Sequence, residues 1–390
     1  MSDTSSAAVE LAIRKPCIPP RGETQGRLDQ LSAVATEIEP QEHYSLGDRI
    51  EAVVDGHPDR PFLVYGSDSF SYRECDARIN QYANALVARG VKSGDVCAIA
   101  FENRPDMFFC WFALAKIGAI TALVSYHLSG ATLIHVVERT SAKVAIVGEE
   151  CVESFVPTPE DHCVPVWLVP DPEKPAGQEI PARFDTSFVV DVDRASRERP
   201  GSLLRSGIRA KDDMLYIFTS GTTGLPKAAK YSHMHWMTCG DVLEETIDAA
   251  ETDVFYCCFP LDHGAAATSV ISTALASGAS IVMRREFSDR KFWGDVGKYG
   301  ITVFQYSGEV FKSLLKRPLE PRDRTHSLRC MLGSGSTTDN WRLSIERFGD
   351  LDVFQKGGAW WGSVDLLRYD SDGYCYFVDR VGRTQTEVTV

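Results

Sequence analysis

The sequence has no C-x-x-C pair, no amino-terminal apolar signal segment, no internal repeat and no excess of basic charge. Each absence removes a class of function. Eleven cysteines without paired spacing argue against a disulfide framework and for thiols kept in a reducing, cytoplasmic setting. Acidic residues number 54 against 41 basic, a formal net charge of −13, which disfavours nonspecific binding to nucleic acid or anionic membranes. The run from Met107 to Val124 approaches membrane-spanning length but is interrupted by Lys116 and Gly118. It predicts a core helix ending near Gly118 and a buried strand from Ala119 to Val124, with peripheral membrane contact left open. His233 and His235, two apart on an expected helix, point to nearly opposite sides and cannot share a metal ion.

Hydrophobic residues make up 44% of the 390, enough to bury one or two cores. Residues 1–43, rich in Ser, Pro, Gly and charge, read as a flexible leader. Beyond them a helical pattern from Cys75 to Arg89 alternates with apolar runs at Val96–Ala100 and Val144–Val147. This predicts an α/β fold of parallel strands flanked by helices. Pro157–Pro200 reads as an irregular excursion before a buried strand at Met214–Phe218. The adjacent Cys257 and Cys258 lie on an apolar stretch and read as core.

That strand runs into Thr219-Ser220-Gly221-Thr222-Thr223-Gly224-Leu225-Pro226-Lys227. A bound triphosphate needs inward backbone N–H groups, hydroxyl donors and a cation. Here Gly221 and Gly224 free the backbone, four side chains supply hydroxyls, and Lys227 supplies the charge. The spacing is not G-x-x-x-x-G-K-[ST], because Leu225 and Pro226 precede the lysine and Ala228 follows it, which excludes a P-loop GTPase or motor.

TSGTTGLPK, preceded by YIF and followed by Tyr231-Ser232-His233, resembles the phosphate-binding signature of the AMP-forming adenylating superfamily of acyl-CoA synthetases, luciferases and peptide-synthetase adenylation domains. Further segments resemble the branch of fatty-acid transport proteins, very-long-chain acyl-CoA synthetases and carnitine-CoA ligases. They are Phe62–Ile120, the CCFPLDH of Cys257–His263, Arg285–Leu315, AWWGSVD ending at Asp365, and Asp372–Gly382. The resemblance implies the large amino-terminal adenylation domain, incomplete, over 44–354, with a remnant of the ribose-binding segment and hinge entry over 355–390. It implies ATP, Mg2+ and coenzyme A as cofactor and cosubstrates, and a small-molecule carboxylic acid, fatty or related, activated as its acyl-adenylate. Lys227 would serve catalysis while Thr219, Ser220, Gly221, Thr222, Thr223 and Gly224 hold phosphates. His263 would face the acyl carboxylate, Gly333-Ser334-Gly335 the adenine, and Asp365 and Arg380 the ribose.

The chain also departs from that pattern. The Tyr-Gly-x-Thr-Glu motif, which in that family closes over adenine and helps hold magnesium, is missing between Phe354 and Lys356, and the resemblance predicts that the small carboxy-terminal domain with its catalytic lysine is lacking beyond the hinge entry. Ser363 and Val364 stand where the branch has Thr-Gly, and Gly382-Arg383 where it has Gly-Asp. Three readings therefore stay open: an acyl-CoA synthetase-like ligase, a noncatalytic nucleotide- or acyl-binding relic, and an adenylator of another oxyanion. A partner protein supplying the missing domain belongs with the last two.

Overall fold

A computed structural model describes residues 21–156, 164–175, 177, 179–219, 225–335, 338–349, 365–369 and 375–380. Asp29–Val353 forms one compact unit. In chain order its strands are β1 (Pro61–Tyr65), β2 (Asp68–Ser71), β3 (Val96–Ala100), β4 (Ile120–Leu123), β5 (Val144–Gly148), β6 (Val166–Val169), β7 (Phe184–Asp185), β8 (Asp213–Thr219), β9 (Lys227–Ser232), β10 (Val254–Cys257), β11 (Ser280–Met283), β12 (Val303–Ser307) and β13 (Cys330–Ser334). A second unit contains β14 (Asp365–Tyr369) and β15 (Cys375–Arg380), an antiparallel hairpin.

The first unit holds two sheets. One is ordered β7-β6-β5-β3-β4-β8-β9 and the other β13-β12-β10-β11-β1-β2. Within each, every described pairing is parallel except at one edge, where β9 runs antiparallel to β8 and β2 to β1. Val-Ala-Ile-Val-Gly in β5 is buried at every position, as expected of strands covered on both faces. Parallel strands bring their carboxyl ends to one edge of each sheet, the usual place for a ligand site in α/β folds.

Helix starts follow local chemistry. Ser71 accepts from the Glu74 amide while the Glu74 carboxylate receives the Ser71 amide, so the helix Tyr72–Ala88 begins with a capping box; Ser45 and Asp48 do the same for Leu46–Gly56. The helix Pro105–Lys116 starts with proline in its first turn and is buried at every position from Met107 to Lys116. The apolar run that approached membrane length is thus a core helix followed by β4, and each large side chain the helix buries stabilises the fold by about 1.5–3 kcal/mol. Trp111 meets Trp236 edge-on, ring centroids 5.7 Å apart. Among the described residues no helix is long and apolar enough to cross a membrane.

Lys116, the charge that interrupts the run, is wholly buried and donates to Asp76 at 2.5 Å and Asn80 at 2.6 Å, with Glu51 at 3.3 Å. A buried ammonium persists only when paired in this way.

Two segments are more ordered than their composition predicts. Arg21–Ala35, inside the expected flexible leader, is helical. The expected irregular excursion 157–200 contains β6, β7 and the helix Phe188–Arg194, which extend the first sheet at its edge. The cause is long-range: the Arg89 guanidinium bonds Asp185, Ser187 and Asp191 and lies over the Trp167 and Phe188 rings. Elements this short carry too little periodicity to read locally.

Candidate functional site

The glycine-rich run lies between two strands that pair antiparallel. Thr219 closes β8, Lys227 opens β9, and the two are register partners across the ladder. Both are exposed, and the Thr219 hydroxyl lies 3.5 Å from the Lys227 carbonyl, at the outer limit of a hydrogen bond. The strand pair therefore sets the lysine opposite the last hydroxyl of β8. Ser220, Gly221, Thr222, Thr223 and Gly224 lie outside the described residues.

His263 follows β10 and is exposed. Its backbone N–H donates to the Pro260 carbonyl at 3.0 Å and its Nδ1 accepts from the Ala265 amide at 3.2 Å. The ring is thereby pinned at the start of a helical segment wound as a π-helix over Ala265–Ser272, a rare geometry frequent at functional sites.

Beside it stands Asp262, which the sequence reading passed over. Burial pushes its carboxyl above the usual range, against the downward pull of the Ser125 hydroxyl, His127 and His263. Its Oδ1 is buried and without a hydrogen-bond partner. Ser125, Tyr126 and His127 leave the carboxyl end of β4, the strand next to β8, so Asp262 joins the two sheets at their carboxyl edges. The Tyr126 ring lies 4.0 Å from that of His127, and burial together with Asp262, Glu102 and Glu286 pushes the Tyr126 phenol up to about 12. The signal in the sequence was a polar Ser-Tyr-His directly after a buried strand, matched by Asp-His after β10.

Gly333 and Ser334 end β13, and Gly335 takes a left-handed conformation at φ +82°. A side chain here would collide with neighbouring backbone: a Cβ on Gly333 would stand 2.1 Å from the Tyr306 carbonyl oxygen, and one on Gly308 2.2 Å from that of Gly335. Gly308, at the carboxyl end of β12, is a second residue the sequence reading missed. Only glycine permits this close pairing of two backbones.

Asp365 and Arg380 are register partners across β14 and β15, so the two residues expected at the ribose stand opposite one another within the second unit. His233 and His235 do part company on the helix His233–Ile247: His233 is buried and accepts at Nδ1 from the Leu46 amide at 3.0 Å, while His235 stacks on Tyr231. Among the described residues no group of three His, Cys, Asp or Glu side chains is placed to hold a metal ion. Cys257 and Cys258 are buried in the core.

Residues 50–356 match the family described as AMP-binding enzyme. The chain is 34% identical over 317 residues to long-chain fatty acid transport protein 2 of Rattus norvegicus, covering 80% of this chain and 50% of that protein. It is 33% identical over 313 residues to the medium/long-chain-fatty-acid–CoA ligase FadD6 of Mycobacterium tuberculosis, covering 80% and 50%. The fold matches the N-terminal domain of FACL13 from Mycobacterium tuberculosis with a TM-score of 0.66 at 17% identity, covering 78% of this chain and 74% of that one. The chain spans about half the length of the curated relatives it matches.

Proposed function

The chain belongs to the AMP-binding enzyme family, and from that premise we propose that it takes part in ATP-dependent activation of a carboxylic acid as its acyl-adenylate. The observation that carries this reading is the β8–β9 hairpin, which sets Lys227 across from Thr219 at the carboxyl end of a parallel sheet. A fatty or related acid is the substrate class, in keeping with the printed names of the transport proteins and ligases it resembles; coenzyme A is the acceptor such ligases name.

The nucleotide fits the residues present. The backbone pairing of Gly308 with Gly335, which a single Cβ would fill, would face the adenine, and Thr219 and Lys227 would supply hydroxyl and ammonium donors to phosphate. ATP, when bound, supplies the electrophilic α-phosphorus and the pyrophosphate leaving group. Lys227 and Thr219, with Ser220, Gly221, Thr222, Thr223 and Gly224, would steady the charge that builds on the departing phosphate oxygens. His263 would orient the acid carboxylate, and Asp365 and Arg380 would serve the ribose. Magnesium, when bound with ATP, would be held largely by the phosphates and water and would offset their charge.

Equilibrium binding of ATP to the wild-type chain and to Lys227→Ala tests the reading. Loss of a charge-assisted contact worth about 1.5–3 kcal/mol predicts an affinity roughly 10- to 150-fold weaker. Equal affinity for the two proteins would remove Lys227 from the phosphate site.

A further inference from the structure

Asn103 follows β3 by three residues and is fully buried. Its side-chain amide is spent entirely on the other sheet. Nδ2 donates to the Phe259 carbonyl at 2.6 Å and to the Arg284 carbonyl at 3.2 Å, and Oδ1 accepts from the Leu261 amide at 2.8 Å. Two carbonyls on one side and an N–H on the other leave only one orientation of the amide that satisfies all three. Arg284 lies just past β11, and Phe259 and Leu261 bracket Pro260 in the turn after β10.

That turn leads directly to Asp262 and His263. The Pro260 carbonyl receives the His263 amide, so the segment fixed by Asn103 is the one that sets the His263 backbone. A neighbour of Asn103 braces the same junction, Glu102 pairing with Arg285 at 3.0 Å, while Arg104 ties β3 to its own sheet through Glu150 at 3.0 Å and the Val169 carbonyl.

We infer that Asn103 is a positioning residue for acid binding, clamping the Phe259–Leu261 turn so that Asp262 and His263 are held at the junction of the two sheets. The inference rests on the proposed acid-activating function for its catalytic consequence, and on the hydrogen bonds alone for the clamp. Aspartate at this position keeps the acceptor for Leu261 but turns an oxygen toward two carbonyls. Protonation of that oxygen restores one donor. Leucine removes all three bonds at similar volume.

Amide hydrogen exchange on the full 390-residue chain reads the clamp without reference to activity. In Asn103→Leu and Asn103→Asp, exchange across residues 259–267 is expected to speed up at least tenfold (order of magnitude), with β8 and β9 unchanged. In acid-dependent ATP–pyrophosphate exchange, the KM for the acid should rise roughly 10- to 100-fold, as a misplacement of about 1 Å produces, while the KM for ATP stays within about twofold. Asn103→Asp should regain part of this loss as pH falls from about 8 to 6, a trend absent from wild type. Unchanged exchange at 259–267 in the Asp variant overturns the clamp. Acid and ATP KM values rising together overturn the positioning role. A wild-type chain that exchanges no acid overturns the proposed function instead, and the hydrogen-exchange result still decides the clamp.

Discussion

Acidification should loosen the fold through His233. This imidazole opens the helix His233–Ile247, is 1% exposed, and uses Nδ1 to accept from the Leu46 amide. Burial holds its pKa down from 6.5 to about 4, against the opposing pull of Asp212 and Asp48. A proton on Nδ1 would face the Leu46 N–H and abolish the bond. Because the folded value lies below the unfolded one, the unfolded chain binds the extra proton between pH 6.5 and 4, so stability is present above that window and is lost as pH falls through it. The full window is worth about 3 kcal/mol and the step from pH 7 to 5 about 2 kcal/mol. Urea unfolding of wild type and His233→Gln at several pH values isolates this contribution, since glutamine retains an acceptor for Leu46 and does not titrate. Wild type should lose about 2 kcal/mol more than the variant between pH 7 and 5. Parallel pH profiles for the two proteins would refute the reasoning.

Asp76→Ala leaves the wholly buried Lys116 short of its nearest partner and should cost about 3–5 kcal/mol in urea unfolding; a loss below about 1 kcal/mol would contradict the buried-pair account. Gly308→Ala places a Cβ 2.2 Å from the Gly335 carbonyl oxygen and should destabilise the fold by roughly 1–3 kcal/mol while weakening ATP binding in calorimetric titration. Unaltered ATP affinity in that variant would detach this turn from the nucleotide. Lys227→Ala, at an exposed strand end, should shift stability by no more than about 0.5 kcal/mol; a larger drop in the thermal transition would mean that the lysine serves the fold.

The parts of this fold that were legible are those written in local pattern. The expected strand Val96–Ala100 has those bounds in the structure, and Val144–Val147 is one residue short of β5. The expected helix Cys75–Arg89 begins earlier, at Tyr72, because the Ser71–Glu74 capping box starts it. Met107–Val124 divides into helix and strand where Lys116 and Gly118 interrupt it. The antiparallel pairing of Thr219 with Lys227 was not legible, because the sequence showed only the strand before the glycine-rich run. Asn103 and Asp262 were hidden for a different reason: each matters through partners far away in the chain, Asn103 through carbonyls and an amide 156 to 181 residues distant. Polar residues of that kind have no period and no motif, and only the meeting of two sheets gives them a role.

Acid-dependent ATP–pyrophosphate exchange by the 390-residue chain tests the central claim most directly, run over short, medium, long and aromatic carboxylic acids with Lys227→Ala as the control. Exchange that depends on the acid and vanishes in the control is the predicted result, and the acid that drives it best identifies the substrate class. A folded wild-type chain that binds ATP but shows no exchange with any acid would contradict adenylation by this chain.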